Sequence, residues 1–250
     1  MKEQDRRAQQ CPPSSFCRCE RLAGGTPVYV DAHHRFGQDA LLLAHFARPR
    51  PGEAACDLGT GCGVIPLRWH DRGHRGPCWA VELQPQALAL LRRAVAETPA
   101  AAHIVPTCAD LRAWRSPVPL DVVACNPPYF TGGPRSPDAA RALARHEDAC
   151  TLPDVCRAAT RSLRDGGRLC LCQRPERLAD VLCALRGAGI EPKRLRFVAA
   201  KVEKAPFLIL VEGQKARAPG LCVLPPLITL TAAGAPSPEM LEIDGQENET

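Results

Sequence analysis

Ala54-Ala55-Cys56-Asp57-Leu58-Gly59-Thr60-Gly61-Cys62-Gly63 is a short apolar run that ends in three glycines at alternate positions. Leu120-Asp121-Val122-Val123-Ala124-Cys125-Asn126-Pro127-Pro128-Tyr129 is a second apolar run, and it ends in Asn-Pro-Pro-Tyr. Each reads as a buried strand followed by a tip with its own chemistry. The Asn126 side-chain oxygen and the Pro127 carbonyl can each accept one N–H of a planar exocyclic amine. That draws the nitrogen lone pair out of conjugation. The prolines Pro127 and Pro128 fix φ and stiffen the exit, and Tyr129 offers a flat face for stacking. Alone, the tetrapeptide is as readily a proline-rich turn. Downstream of a glycine loop, it points to a cofactor at the tips of parallel strands and an amine that receives a group there.

Working outward from these two tips, strand and helix alternate. Strands are expected at 54–58, 78–82, 103–107, 120–125, 168–172, 195–199 and 206–212. Helices are expected at 64–71, 86–97 (opened by Pro85 at a first-turn position), 152–163 and 176–188. Gly166-Gly167 is read as the stop between a helix and the next strand. This alternation predicts a parallel sheet with helices on both faces. Before it, 16–30 reads as a hairpin broken at Gly24-Gly25, and 36–46 as a helix with Asp39 in its first turn.

A strand, glycine loop and helix can hold several cofactors. The dinucleotide fingerprint G-x-G-x-x-G would need a glycine where Val64 stands, and there is no phosphate-binding G-x-x-x-x-G-K-[ST]. The loop is instead G-x-G-x-G, and Gly59, Gly61 and Gly63 allow close backbone approach to a ligand without phosphates. S-adenosylmethionine (SAM) is such a ligand. Glu82, at the end of the next strand, is placed to accept from both ribose hydroxyls. Asp110, after the third strand, is placed to accept from the adenine amino group, and Asp57 to orient the ammonium, directly or through water.

Composition sets the bounds. The chain has 250 residues, 45% hydrophobic and 24% charged, enough for a proper core. No apolar run approaches a membrane span, and the polar start Met1-Lys2-Glu3-Gln4-Asp5-Arg6-Arg7 leads into no signal region, so a cytoplasmic protein is expected. Of the fourteen cysteines, Cys56, Cys125, Cys170 and Cys172 fall inside expected buried strands. There is no C-x-x-C, so the thiols read as small hydrophobes and no metal is expected. Glu239, Glu242, Asp244, Glu247 and Glu249 give residues 236–250 a charge of −5 without Lys or Arg, leaving +10 on 1–235 out of +5 overall. The basic body suits a polyanion such as RNA, with Lys193, Arg194, Arg196, Lys201 and Lys204 as candidate phosphate contacts. The acidic end reads as a solvated tail.

F-G-Q-D-A-L-L-L-A (36–44), D-L-G-T-G-C-G-V-I-P-L (57–67), N-P-P-Y-F (126–130), A-R-H-E (144–147), Q-R-P-E-R-L (173–178) and L-P-P-L-I (224–228) occur in that order. In this the chain resembles the bacterial tRNA(Val) adenine-N6-methyltransferases, from about residue 16 to residue 230. The resemblance implies a class I SAM-dependent fold, with a Rossmann-like, doubly wound, mostly parallel seven-stranded sheet. It also implies methylation of the anticodon-loop adenosine beside the anticodon. The domain plan is an N-terminal extension and helix (1–50), a catalytic domain (51–230) and an acidic, disordered tail (231–250). Asp39, Asp57, Gly59, Gly61, Gly63, Glu82, Asp110 and Asn126 would hold SAM, and Asn126, Pro127, Pro128 and Tyr129 the target amine. Arg145-His146-Glu147 would order that loop or touch the RNA backbone, or as readily form a solvated helix face. N-P-P-Y is shared with glutamine methyltransferases acting on release factors, one alternative, although the roughly fifty residues before the first strand leave little room for their helical substrate domain. A non-catalytic SAM- or RNA-binding scaffold is the other, opposed by the intact Asp57, Gly59, Gly61, Glu82 and Asn126.

Overall fold

Buried on both faces, the strand β3 (Ala55–Leu58) lies at the middle of the molecule, with β4 (Cys78–Glu82) parallel on one side and β6 (Leu120–Cys125) parallel on the other. The computed structural model describes residues 17–127 and 150–245. Beyond β4 lies β5 (Ile104–Cys108) and beyond β6 lies β7 (Leu163–Gln173), both parallel. The sheet then continues through β9 (Leu208–Lys215), antiparallel to both its neighbours, to β8 (Ile190–Ala199). The order β5-β4-β3-β6-β7-β9-β8 is the expected doubly wound, mostly parallel core. Two short strands, β10 (Cys222–Val223) and β11 (Leu227–Ile228), pair parallel with β8 and bring the described sheet to nine strands rather than seven.

Alternate side chains along each strand enter two cores. Ala55, Cys78, Ala80, Val122 and Ala124 face the helices α1 (Gln38–Ala47), α2 (Val64–Asp71) and α3 (Pro85–Ala96). Cys56, Leu58, Val81, Val123 and Cys125 face α4 (Leu152–Ser162) and α5 (Leu178–Gly187). Period-2 alternation explains this division. Pro85 opens α3, and Thr151 with Asp154 forms a capping box at the start of α4. Cys56, Cys125, Cys170 and Cys172 fill these cores as free thiols, as expected, whereas Cys19, Cys108 and Cys222 are exposed on their strands. Among the described residues no cluster of His, Cys, Asp and Glu is arranged to hold a metal.

The hairpin also forms, with β1 (Arg18–Arg21) antiparallel to β2 (Pro27–Val30). Tyr29 of β2 donates its hydroxyl to Glu97 and lies under the Arg93 guanidinium, 4.0 Å from its ring centre. The hairpin and α1 thus share the first core with the residues that follow them.

Three expectations are corrected. β7 begins five residues before the expected start, because Gly166-Gly167 lies inside the strand as an irregularity in its pairing with β6. A Cβ on Gly167 would stand 2.8 Å from the Leu120 carbonyl oxygen, which explains the glycine there. β8 likewise begins early and carries Pro192 at a register shift against β9, where a missing N–H is tolerated. Finally, within the acidic stretch expected to lack structure, part of which lies outside the described residues, α6 (Pro238–Asp244) forms, capped by Ser237, with Met240 and Ile243 buried in the first core. Its cationic partners come from elsewhere. Arg196 binds Glu239 through both terminal nitrogens, one at 2.8 Å, and Arg68 and Arg72 donate to the backbone carbonyls of Ile243 and Glu242.

Candidate active site

Between β3 and β6 the strand order reverses, so their carboxyl ends diverge and leave a crevice. That is where ligands bind in open α/β sheets. A cavity of about 300 Å³ occupies it. Gly59, Glu82, Gln84, Asp110, Asn126 and Pro127 line its polar side, and Leu58, Val81, Leu111, Cys125, Leu152 and Val155 its apolar side.

Gly59, Gly61 and Gly63 all have positive φ (+72°, +55° and +83°), which is why the loop is built from glycines. Their surroundings differ. A Cβ on Gly59 or Gly61 would meet nothing within 4 Å, so these two leave open space in front of the loop. A Cβ on Gly63 would stand 2.4 Å from Leu91 Cδ1. Gly63 therefore lets the start of α2 approach Leu91 of α3; of the three glycines, Gly59 is in the cavity lining and Gly61 and Gly63 are not.

Glu82 is 8% exposed at the end of β4, and it does two things. Its Oε2 accepts the Gly61 N–H at 2.9 Å and its Oε1 the Gln84 N–H at 2.9 Å. A carboxylate has about four lone-pair sites, so two remain for a ligand's hydroxyls. Asp57 lies behind the loop, 1% exposed, with no hydrogen bond to either carboxylate oxygen. Burial pushes its carboxyl up to about 8 despite the nearby Thr60 hydroxyl, and the Glu82 charge adds to the rise. An orphaned buried carboxyl is a fitting neighbour for a cationic group such as SAM's ammonium.

Asp110 lines the cavity, but its carboxylate is already paired with Arg112 at 2.6 Å, which holds it below the usual range. Asn126 and Pro127 follow β6 into the cavity, and the Asn126 Oδ1 accepts from the Cys172 thiol at 3.0 Å. Asp39, expected to help hold a cofactor, sits in the first turn of α1 outside the described lining. Pro128, Tyr129 and Arg145-His146-Glu147 lie outside the described residues.

One arrangement escaped the sequence. Gln84 borders the cavity, and its Oε1 is 3.2 Å from His34 Nε2. His34 Nδ1 is 3.0 Å from Asp31 Oδ1. Burial raises the Asp31 carboxyl, but hydrogen bonds from His34 and His33 outweigh it and bring it to about 2. The segment after the hairpin thereby braces the cofactor side of the cavity. No local pattern marks a contact fifty residues long.

The basic cluster of the late strands is largely engaged within the fold. Arg194 pairs with Glu212 at 2.8 Å and covers Phe46, Arg196 holds Glu239, and Lys193 and Lys201 donate to the Ala218 and Ala232 carbonyls.

Among solved structures, the fold is similar to a protein described as a predicted O-methyltransferase, Atu636 from Agrobacterium tumefaciens. The TM-score is 0.66 at 20% identity, over 83% of this chain and 95% of that one. It is also similar to geranyl diphosphate C-methyltransferase from Streptomyces coelicolor A3(2), solved with Mg2+, geranyl diphosphate and S-adenosyl-L-homocysteine. There the TM-score is 0.52 at 13% identity, over 72% and 78%. The fold is the class I, Rossmann-like fold of the methyltransferases. The methyltransferase small domain model matches residues 28–182. The tRNA1(Val) (adenine(37)-N6)-methyltransferase of Tolumonas auensis is 30% identical over 178 residues, 71% of this chain and 75% of that protein. The chain belongs to the methyltransferase small domain family and, within it, to the tRNA1(Val) adenine-N6-methyltransferases.

Proposed function

We propose that this chain methylates the exocyclic nitrogen, N6, of the adenosine beside the anticodon of tRNA(Val), using SAM and no metal, in the cytoplasm. The observation that carries the reading is that one cavity joins the Gly59–Glu82 wall to Asn126 and Pro127. The first wall suits a ribose and the second an NH2 group. When bound there, SAM supplies a methyl already activated by its sulfonium, so the chain needs no nucleophile. Its own residues do positioning work, which is worth several kcal/mol when the reacting atoms are aligned. Glu82 accepts ribose hydroxyls and Asp57 faces the ammonium. Asn126 and the Pro127 carbonyl accept the two amine hydrogens and turn the nitrogen lone pair toward the methyl. The amine nitrogen, on taking the methyl, would shed one proton to water. Tyr129 is assigned the stacking surface for a base taken out of its stack, a step that is cheaper in a single-stranded anticodon loop than in a duplex. The +10 charge on residues 1–235 favours a polyanionic partner.

The test is incubation with tritiated SAM and either unmodified tRNA or release factor, followed by nucleoside mass spectrometry. Label as N6-methyladenosine in the tRNA(Val) fraction is expected. Label in the release factor, or none in RNA, refutes the reading.

A further inference from the structure

We propose that Cys172 is a positioning residue for methyl transfer, whose thiol fixes which end of the Asn126 amide meets the target amine. The inference rests on the assignment of Asn126 as the amine acceptor.

Asn126 leaves the end of β6 and Cys172 lies near the end of β7. Cys125 pairs with Leu171 in the parallel register, so Asn126 and Cys172 are the next neighbours across the two strands. Cys172 also pairs with Leu210 of β9, which makes β7 an interior strand, and its side chain is fully buried. The donor is therefore mounted on a strand held from both sides. It reaches the one atom whose identity matters, Asn126 Oδ1, at 3.0 Å.

The two ends of an Asn amide are nearly the same shape and rotate about a broad, roughly two-fold torsion. Only one end can accept an N–H from the substrate. An S–H donor beneath the amide favours the oxygen at that corner over the NH2. A carbonyl oxygen has two lone pairs, so accepting from the thiol leaves one for the amine. Without the donor, the amide spends part of its time turned with NH2 toward the amine hydrogens, donor against donor. That defect concerns alignment at the reacting nitrogen, so it belongs in kcat and not in cofactor affinity.

Ala and Ser are nearly the same size and differ here by one hydroxyl donor, which separates this role from packing. Cys172→Ala, Cys172→Ser and Asn126→Ala are compared by single-turnover methylation of unmodified tRNA at saturating SAM, with calorimetry of S-adenosylhomocysteine and a melting curve for each. The expected rate for Cys172→Ala is about two- to twelvefold below wild type, the range set by a neutral hydrogen bond. Its cofactor affinity should stay within about twofold of wild type. Cys172→Ser should recover most of the rate while melting no higher than the Ala variant. Equal rates for the Ala and Ser variants, slow or fast, overturn the assignment. A wild-type rate in Asn126→Ala instead overturns the amine-acceptor reading beneath it.

Discussion

Replacing Glu82 by Gln separates two roles that one side chain combines. In the free protein its oxygens accept the Gly61 and Gln84 N–H groups, each at 2.9 Å, from a nearly buried position. Gln has one oxygen and one NH2, so whichever way the amide turns, its NH2 opposes one of those N–H groups. The lost acceptor and the unsatisfied donor cost about 1–3 kcal/mol. That cost falls on the loop whether or not cofactor is present, so it appears as stability, about 2–4 °C of melting temperature for each kcal/mol in a domain of this size. The ribose bonds are different. The loss of a charge-assisted acceptor, about 1.5–3 kcal/mol, falls only on the complex and weakens S-adenosylhomocysteine binding about 10- to 150-fold. Calorimetry reads the second effect and a melting curve of the ligand-free protein reads the first. Wild-type affinity in a destabilised Glu82→Gln protein would reduce Glu82 to a brace for the glycine loop and refute its part in cofactor binding.

Where a segment's environment is uniform, the sequence shows it. Val122 to Cys125 are buried on both faces of an interior parallel strand, and such strands read as unbroken apolar runs. Helix starts were equally plain at Pro85, and the strand ends then located Glu82 and Asn126. What stayed hidden depends on groups remote in the chain. The five acidic residues of 236–250 masked the i, i+3 spacing of Met240 and Ile243, and the docking of α6 depends on Arg68, Arg72 and Arg196. The expected strand began only at 195, and the earlier part of β8 stayed hidden because the tolerance of Pro192 rests on a bulge against β9. Gly59 and Gly63 look alike in the motif, and only the approach of Leu91 distinguishes a ligand-facing glycine from a packing one. Cys172 read as core filler for the same reason, since its hydrogen bond is to a neighbour forty-six residues away.

Further outcomes follow from the same geometry. Gly63→Ala should cost about 2–4 kcal/mol of stability, from positive φ combined with overpacking against Leu91. Gly59→Ala should cost about 1–2 kcal/mol from backbone strain alone while losing cofactor affinity, so similar melting losses without an affinity difference would contradict the division. Met240→Ala should lower stability by about 2–5 kcal/mol, as for a core methionine, whereas Glu239→Gln should cost under about 1 kcal/mol because that ion pair is partly exposed. Equal, negligible effects in denaturant titrations would mean that α6 is not part of the cooperative fold. The last outcome concerns pH. Burial raises Asp57 to about 8 from a carboxyl's ordinary value near 4, so between these the folded protein holds a proton that the unfolded chain has released. Its contribution to stability is complete below about pH 4 and is lost as pH rises through 8. Below about pH 6.5 the buried His70 and His74 and the half-buried His45 and His103 act in the opposite sense, since desolvation lowers all four and the unfolded chain binds their protons first. Above about pH 8.5 the thiols begin to ionise in the unfolded chain. The window from about 6.5 to 8 therefore isolates Asp57, and there the ligand-free protein should lose at most about 1.4 kcal/mol per pH unit. Asp57→Asn, which carries no proton to lose, should abolish that slope in melting curves taken across the window. Parallel pH profiles for the two proteins would show that the Asp57 carboxyl is already ionised, satisfied by a partner within the loop.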